Sequence, residues 1–181
     1  VVGERTAVLV LGSFPGARSL AVRQYYAHPQ NQFWKILQAI WPAEPLPTGV
    51  DSYQKRSAWL LERGLGLWDV YARCRRAGSL DTAIRDAEPN DIAALHLPRL
   101  AAIAHNGGES FRHARVLAAR LGTAGPTQGA GVAESRSEDT AAPSAGFRFH
   151  RLPSTSPANA SWSFERKLAA WREVIAAHGL V

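Results

Sequence analysis

Apolar positions along this chain fall into two rhythms. Short runs that read as strands stand at Ala7–Leu11, Leu67–Tyr71, Leu100–His105 and Phe147–Leu152. The first, of small and β-branched apolar residues, reads as a strand buried on both faces. Elsewhere the spacing is helical. Phe33, Trp34, Ile36, Leu37 and Ile40 predict a helix over Gln32–Ile40, with Asn31 in the cap position and Pro42 as its stop. Further helices are predicted over Ser52–Arg63 and Glu109–Leu121, and from a cap at Ser161 through Ala177 with Phe164, Leu168, Trp171 and Ile175 on one face. Asp81–Arg85 reads as a short helical turn, and Asp91–Leu97, capped by Asn90, as a helix of a turn and a half. Strands alternating with helices predict an α/β fold, a parallel sheet covered on both faces.

One segment departs from both rhythms. Gly122–Gly146 is built from Gly, Ala, Ser, Thr, Pro and Glu with almost no large apolar residue. It cannot bury enough surface to offset its ordering entropy, so a flexible insertion is expected there. The remainder suits a single domain spanning residues 1–181.

Composition narrows the partners. The formal net charge is +6 and the pI is 10.1, a balance that favours polyanions and nucleic acid before membrane. No apolar run approaches the roughly 20 residues that span a bilayer, and the first residues lack the basic start and apolar core of a signal peptide. Cys74 is the only cysteine, which excludes an intramolecular disulfide and points to a free thiol in the cytosol. No HExxH, CxxC, Walker or GxSxG pattern is present, and no metal site or cofactor is expected.

Two loops follow strand ends and are stiffened by proline, one after the first strand and one after the last. In the first, Gly12 and Gly16 let a ligand approach the backbone, and the N–H groups from Ser13 to Gly16 are candidate donors. Phe14, Tyr25 and Tyr26 are either stacking surfaces for a base or loop packing. His28 is either a ligand donor or a structural hydrogen-bonder, and Asn31 either a cap or the holder of a water. In the last loop Ser154, Thr155 and Ser156 offer consecutive hydroxyls suited to phosphate, or to an ordinary capping segment. Arg18, Arg73, Arg75 and Arg76 are candidates for phosphate contact.

The motifs GSFPG with AHPQNQFW, GLGLWDV and LPSTSPAN resemble those of the uracil-DNA glycosylase superfamily, and within it the hypoxanthine-DNA glycosylase branch, related to the mismatch-specific enzymes. The likeness runs from Val8 to the last helix, the insertion excepted. It implies a three-layer α-β-α fold with a central four-stranded parallel sheet and a DNA groove at the strand C-termini. It implies a monofunctional glycosylase, active without cofactor, that hydrolyses the N-glycosidic bond of a flipped, deaminated base in DNA. Hypoxanthine is the expected base; uracil or a G:U or G:T mismatch is the alternative, and a non-catalytic damage binder of the same fold another. Asn31 matches the family's catalytic asparagine. Gly12, Ser13 and Phe14 match the base-pocket loop and Asp69 the base-reading position; Tyr26 and His28 are further candidates for binding the base. Ser154, Thr155, Ser156, Pro157 and Asn159 match the loop that grips the DNA backbone and inserts into the duplex; Arg73 is a further candidate for contact with DNA. Phe14 stands where mismatch-specific relatives carry Asn, and Asp69 where relatives often carry Asn. His105-Asn106-Gly107 resembles the family's strand-to-helix turn. A monomer in the cytoplasm, associated with the nucleoid, is expected.

Overall fold

A computed structural model describes residues 1–49, 51–122 and 147–181. The expected insertion lies, from residue 123 onward, outside the described residues. Four parallel strands form the centre: β1 (Val8–Gly12), β2 (Leu65–Asp69), β5 (Ala102–Asn106) and β6 (Arg148–Leu152), in the order β2-β1-β5-β6. The α/β expectation and the four-stranded sheet are both met. Alternation along β1 divides the core. Val8 and Val10 face a cluster with Phe33, Leu37, Leu60 and Trp171, whereas Leu9 and Leu11 face one with Val70, Ile103 and Leu117. A strand with both faces buried needs an apolar residue at every position, which is why no polar alternation marks it in the sequence.

The first cluster is supplied by α2 (Phe33–Ile40), α3 (Ser52–Glu62) and α6 (Phe164–Ala177). The cap of α6 is Ser163 rather than Ser161; its Oγ accepts the Arg166 N–H at 3.3 Å. Trp171 and Ile175 are buried as expected, and so is Lys167, whose Nζ donates to the Asn159 carbonyl at 2.9 Å. The last helix therefore anchors the serine-bearing loop.

The other face departs more from the sequence reading. The expected helix over Glu109–Leu121 breaks at Arg112–His113 into α4 (Gly108–Phe111) and α5 (Ala114–Arg120). Asp91–Leu97 closes only as a 3₁₀ turn, Ala93–Leu95. The connector after Gly16 holds α1 (Ala17–Val22), which ends at Arg23 in a left-handed conformation (φ 52°). β2 starts two residues before the expected Leu67, directly after Gly64 (φ +72°), and Gly66 accommodates Thr6, whose Cγ2 a Cβ would meet at 2.7 Å.

The largest correction is an antiparallel ribbon of β3 (Tyr71–Arg76) and β4 (Ile84–Pro89). The sequence reading offers only candidate phosphate contacts at Arg73, Arg75 and Arg76 and a helical turn at Asp81–Arg85 there, and only Asp81–Ala83 is helical, as one 3₁₀ turn. Its strands are mostly exposed and charged and its register slips twice, so neither hydrophobic period survives.

Candidate active site

The C-terminal ends of the four strands bring Gly12, Asp69, Asn106 and Leu152 to one rim, with Gly12 opposite Asp69 and Asn106 opposite Leu152. Above them opens a cleft of about 1140 Å³. Both proline-stiffened loops line it: Gly12 to Gly16 on one side, Ser154 to Asn159 on the other, with Tyr25, Tyr26, His28, Asn31 and Asp69 between.

The first loop is held from a distance. Ser13 Oγ donates to Asp81 Oδ1 at 2.6 Å, and the Ala17 N–H donates to Ser79 Oγ at 3.1 Å. The Arg76 guanidinium donates to the carbonyls of Phe14 and Pro15 and lies over the Phe14 ring, 5.3 Å from its centroid. All three partners come from the ribbon, which the sequence does not reveal. Arg76 is thus a buried brace rather than a phosphate ligand.

Asp69 sits beneath this loop, buried, with Oδ2 accepting the Tyr25 hydroxyl at 2.8 Å. Burial raises its pKa to about 6, although the Tyr25 bond pulls the other way. A Cβ at position 12 would stand 2.8 Å from Asp69 Oδ1, so Gly12 is the residue that lets the carboxylate approach the strand end. Tyr26 adopts φ 55° and stacks on Phe33 with centroids 4.1 Å apart, so one ring face is already covered. Its hydroxyl is buried without a hydrogen bond of good geometry.

Asn31 is half-buried at the cleft wall. Its Oδ1 accepts the Phe33 N–H at 2.9 Å, a capping bond made one residue before the Gln32 cap position. That bond to an N–H donor settles which end of the amide is oxygen. Oδ1 keeps a second lone pair, and Nδ2 has no protein partner among the described residues. His28 is exposed, and its Nδ1 accepts the Gln30 N–H at 3.2 Å, which leaves Nε2 to face a ligand.

The consecutive hydroxyls of the last loop divide by position. Thr155 is fully buried: Asn106 Nδ2 donates to its Oγ1 at 3.0 Å, and its N–H returns to Asn106 Oδ1 at 2.9 Å. Its carbonyl accepts the Gln32 N–H at 3.0 Å. The expectation that Thr155 faces DNA is therefore replaced by a clamp that ties the loop to β5 and to the residue after Asn31. Ser154 and Ser156 are half-exposed, and each Oγ accepts a backbone N–H, from Ser156 and Ala158, so both hydroxyl hydrogens stay free to donate. Asn159 donates to the Ser154 carbonyl at 3.0 Å and braces the loop internally, while Pro157 is exposed at its tip. Gly107 (φ +113°) packs under Ser154, whose Cβ an added methyl would meet at 3.2 Å.

Arg73 lies on the ribbon, outside the cleft, with Nη2 on both Glu88 oxygens at 2.6 and 2.8 Å. Arg75 pairs with Asp86 at 3.6 Å. Arg18 does line the cleft, and Arg151, which the sequence reading passed over, lines it too, over the Phe111 ring and without a carboxylate partner among the described residues. Its signal was position alone, one residue before the last loop.

The chain that builds this cleft matches a known family model. The family described as the uracil DNA glycosylase superfamily covers residues 1–175. The chain belongs to the uracil DNA glycosylase superfamily.

Relatives agree with this. A protein of Methanosarcina barkeri named hypoxanthine DNA glycosylase is 39% identical over 121 residues, 66% of this chain and 75% of its own length. One of the same name from Methanosarcina acetivorans is 37% identical over 120 residues, 65% of this chain and 73% of its own. A solution NMR structure from Methanosarcina acetivorans, described as a candidate uracil DNA glycosylase, superposes with a TM-score of 0.72 at 29% identity, over 98% of this chain and 94% of that one. This glycosylase thus acts on DNA by cleaving an N-glycosidic bond. No helix among its described residues is long and apolar enough to cross a membrane.

Proposed function

We propose that this glycosylase removes hypoxanthine from DNA, as a monomer and without cofactor, working on the nucleoid in base excision repair. The observation that carries the reading is Asp69, a buried carboxylate with a pKa of about 6 at the floor of the base cleft. Deamination of adenine converts N1 from a lone-pair acceptor into an N–H donor. An ionised Asp69 accepts from that N–H and repels the adenine lone pair, so it rewards the deaminated base over its parent. The names of the two Methanosarcina relatives support the same base.

Cleavage builds positive charge on the sugar and negative charge on the leaving base. Asn31 Oδ1 has one lone pair left for a water near C1′, while the Phe33 N–H bond holds the amide in orientation. A carboxamide is a poor base, so the path is dissociative, with loop N–H groups from Ser13 to Gly16 stabilising the departing purine. Ser154 and Ser156 donate to phosphates flanking the extruded nucleotide. The test is a panel of oligonucleotides carrying hypoxanthine, uracil, xanthine or mismatched thymine, read for abasic sites. Hypoxanthine is expected to be excised fastest. Asn31→Ala is expected to abolish excision with DNA affinity largely kept; unaltered turnover refutes the assignment. Preferred excision of uracil would favour the alternative that the solved relative's description suggests.

A further inference from the structure

The two oxygens of Asp69 differ in what they have left to accept. Oδ2 takes the Tyr25 hydroxyl at 2.8 Å. Oδ1 has no hydrogen-bond partner among the described residues and lies at the strand end that Gly12 keeps bare. Tyr25 is in turn fixed through its backbone. Its N–H donates to the Tyr53 hydroxyl of α3 at 3.0 Å, and its carbonyl accepts the Trp34 Nε1–H of α2 at 3.1 Å. Its half-buried ring packs against the cluster that holds Phe33 and Trp34. The hydroxyl therefore has little freedom to leave Oδ2, and Asp69, Tyr25 and Gly12 all line the cleft.

We propose that Tyr25 is a specificity-determining residue: by covering Oδ2 it limits the carboxylate to one N–H and so turns guanine away. This rests on the reading that Asp69 accepts from N1–H. That contact separates hypoxanthine from adenine but not from guanine, which carries the same O6 and the same N1–H. Guanine differs in its 2-amino group, a second donor beside N1–H on the edge by which a flipped base is read. A carboxylate with both oxygens free meets two adjacent donors, and would favour guanine, the undamaged base, over hypoxanthine. With Oδ2 covered, the amino group faces a neutral phenol oxygen in place of an ionised one. Neutral hydrogen bonds are roughly half as strong as charge-assisted ones, and a donor that finds no acceptor loses its hydration without return. Hypoxanthine has only C2–H at that position and forfeits nothing.

The test measures the affinity of the full chain for single-stranded oligonucleotides carrying one uncleavable 2′-fluoroarabino nucleotide of hypoxanthine, guanine or adenine. Single strands remove the cost of breaking a base pair, and pH 8 keeps Asp69 ionised. Wild type is expected to hold hypoxanthine about tenfold tighter than guanine, the margin between a charged and a neutral acceptor. Equal or tighter binding of guanine by wild type overturns the proposal, whatever a variant does. Tyr25→Phe keeps the ring and frees Oδ2, and is expected to bring the guanine-to-hypoxanthine ratio of dissociation constants to one or below. An unchanged ratio overturns the proposal, including the case where both affinities fall together because the connector has moved. A wild type that holds adenine as tightly as hypoxanthine refutes the N1–H reading of Asp69, and this proposal with it. Hypoxanthine favoured over adenine, with the guanine ratio unchanged in Tyr25→Phe, overturns the role of Tyr25 alone.

Discussion

Asp69 makes the stability of this protein depend on pH in a direction opposite to most carboxylates. Its pKa is raised to about 6 in the fold, chiefly by burial, against about 4 in an unfolded chain. The native state therefore holds this proton when the unfolded state has lost it. Stability contributed by the neutral form is present below pH 4 and is lost as pH rises through 6. A difference of about two pKa units corresponds to about 3 kcal/mol. Asp69→Asn keeps the size and an oxygen for the Tyr25 hydroxyl but cannot ionise. The Tyr25 bond to the charged form is already contained in that net shift. The variant should be more stable than wild type by about 3 kcal/mol at pH 8 and no more stable at pH 4. Urea unfolding at the two pH values measures it, with unchanged m-values as the check on two-state behaviour. A stability difference that stays constant between the two pH values would refute the argument. In parallel, excision of hypoxanthine by wild type should rise through pH 6, as the carboxylate forms, and the variant should lose both the rate and that inflection.

Two further predictions concern the walls of the cleft. Asn106→Ala strips both partners from buried Thr155 and leaves its N–H unsatisfied. The expected cost is about 2–4 kcal/mol in chemical denaturation, with a raised KM for DNA because the serine loop is released. A variant with wild-type stability would show that the clamp contributes nothing. Arg18→Ala and Arg151→Ala should each reduce the slope of log affinity against log salt by about 1 for undamaged DNA. Arg73→Ala, on the ribbon and outside the cleft, should change the slope less.

How far the sequence discloses this site depends on whether a role is local. The strands β1, β5 and β6 were legible within a residue or two at each end: β1 because a run without polar interruption suits a strand covered on both faces, β5 and β6 despite His105 and Asn106 in the one and Arg148, His150 and Arg151 in the other. From them it followed that the two loops share a rim, since parallel strands place all their C-terminal ends together. The motifs also singled out Asn31 and Asp69, which the fold brings into one cleft. What stayed hidden are contacts between partners far apart in the chain: Tyr25 with Asp69 at a separation of 44 residues, Asn106 with Thr155 at 49, Ser13 with Asp81 at 68. None has a period, so no pattern along the chain can report it. The ribbon is the extreme case. Its charged strands carry no hydrophobic period, yet Arg76 and, from the turn between them, Ser79 and Asp81 brace the pocket.

The hydroxyls of the last loop carry the point to single residues. Ser154, Thr155 and Ser156 are chemically alike, and composition gives no reason to part them. An extended chain turns successive side chains to opposite sides. Once Pro153 and the β6 ladder set the direction, the middle hydroxyl goes inward to Asn106 and the outer two stay towards the cleft. Each neighbouring serine, by contrast, spends its oxygen on a backbone N–H two residues on and keeps its hydrogen for a ligand. One hydroxyl chemistry repeated along a loop thus divides into a structural partner and a pair of donors, and the sheet, not the motif, decides which is which.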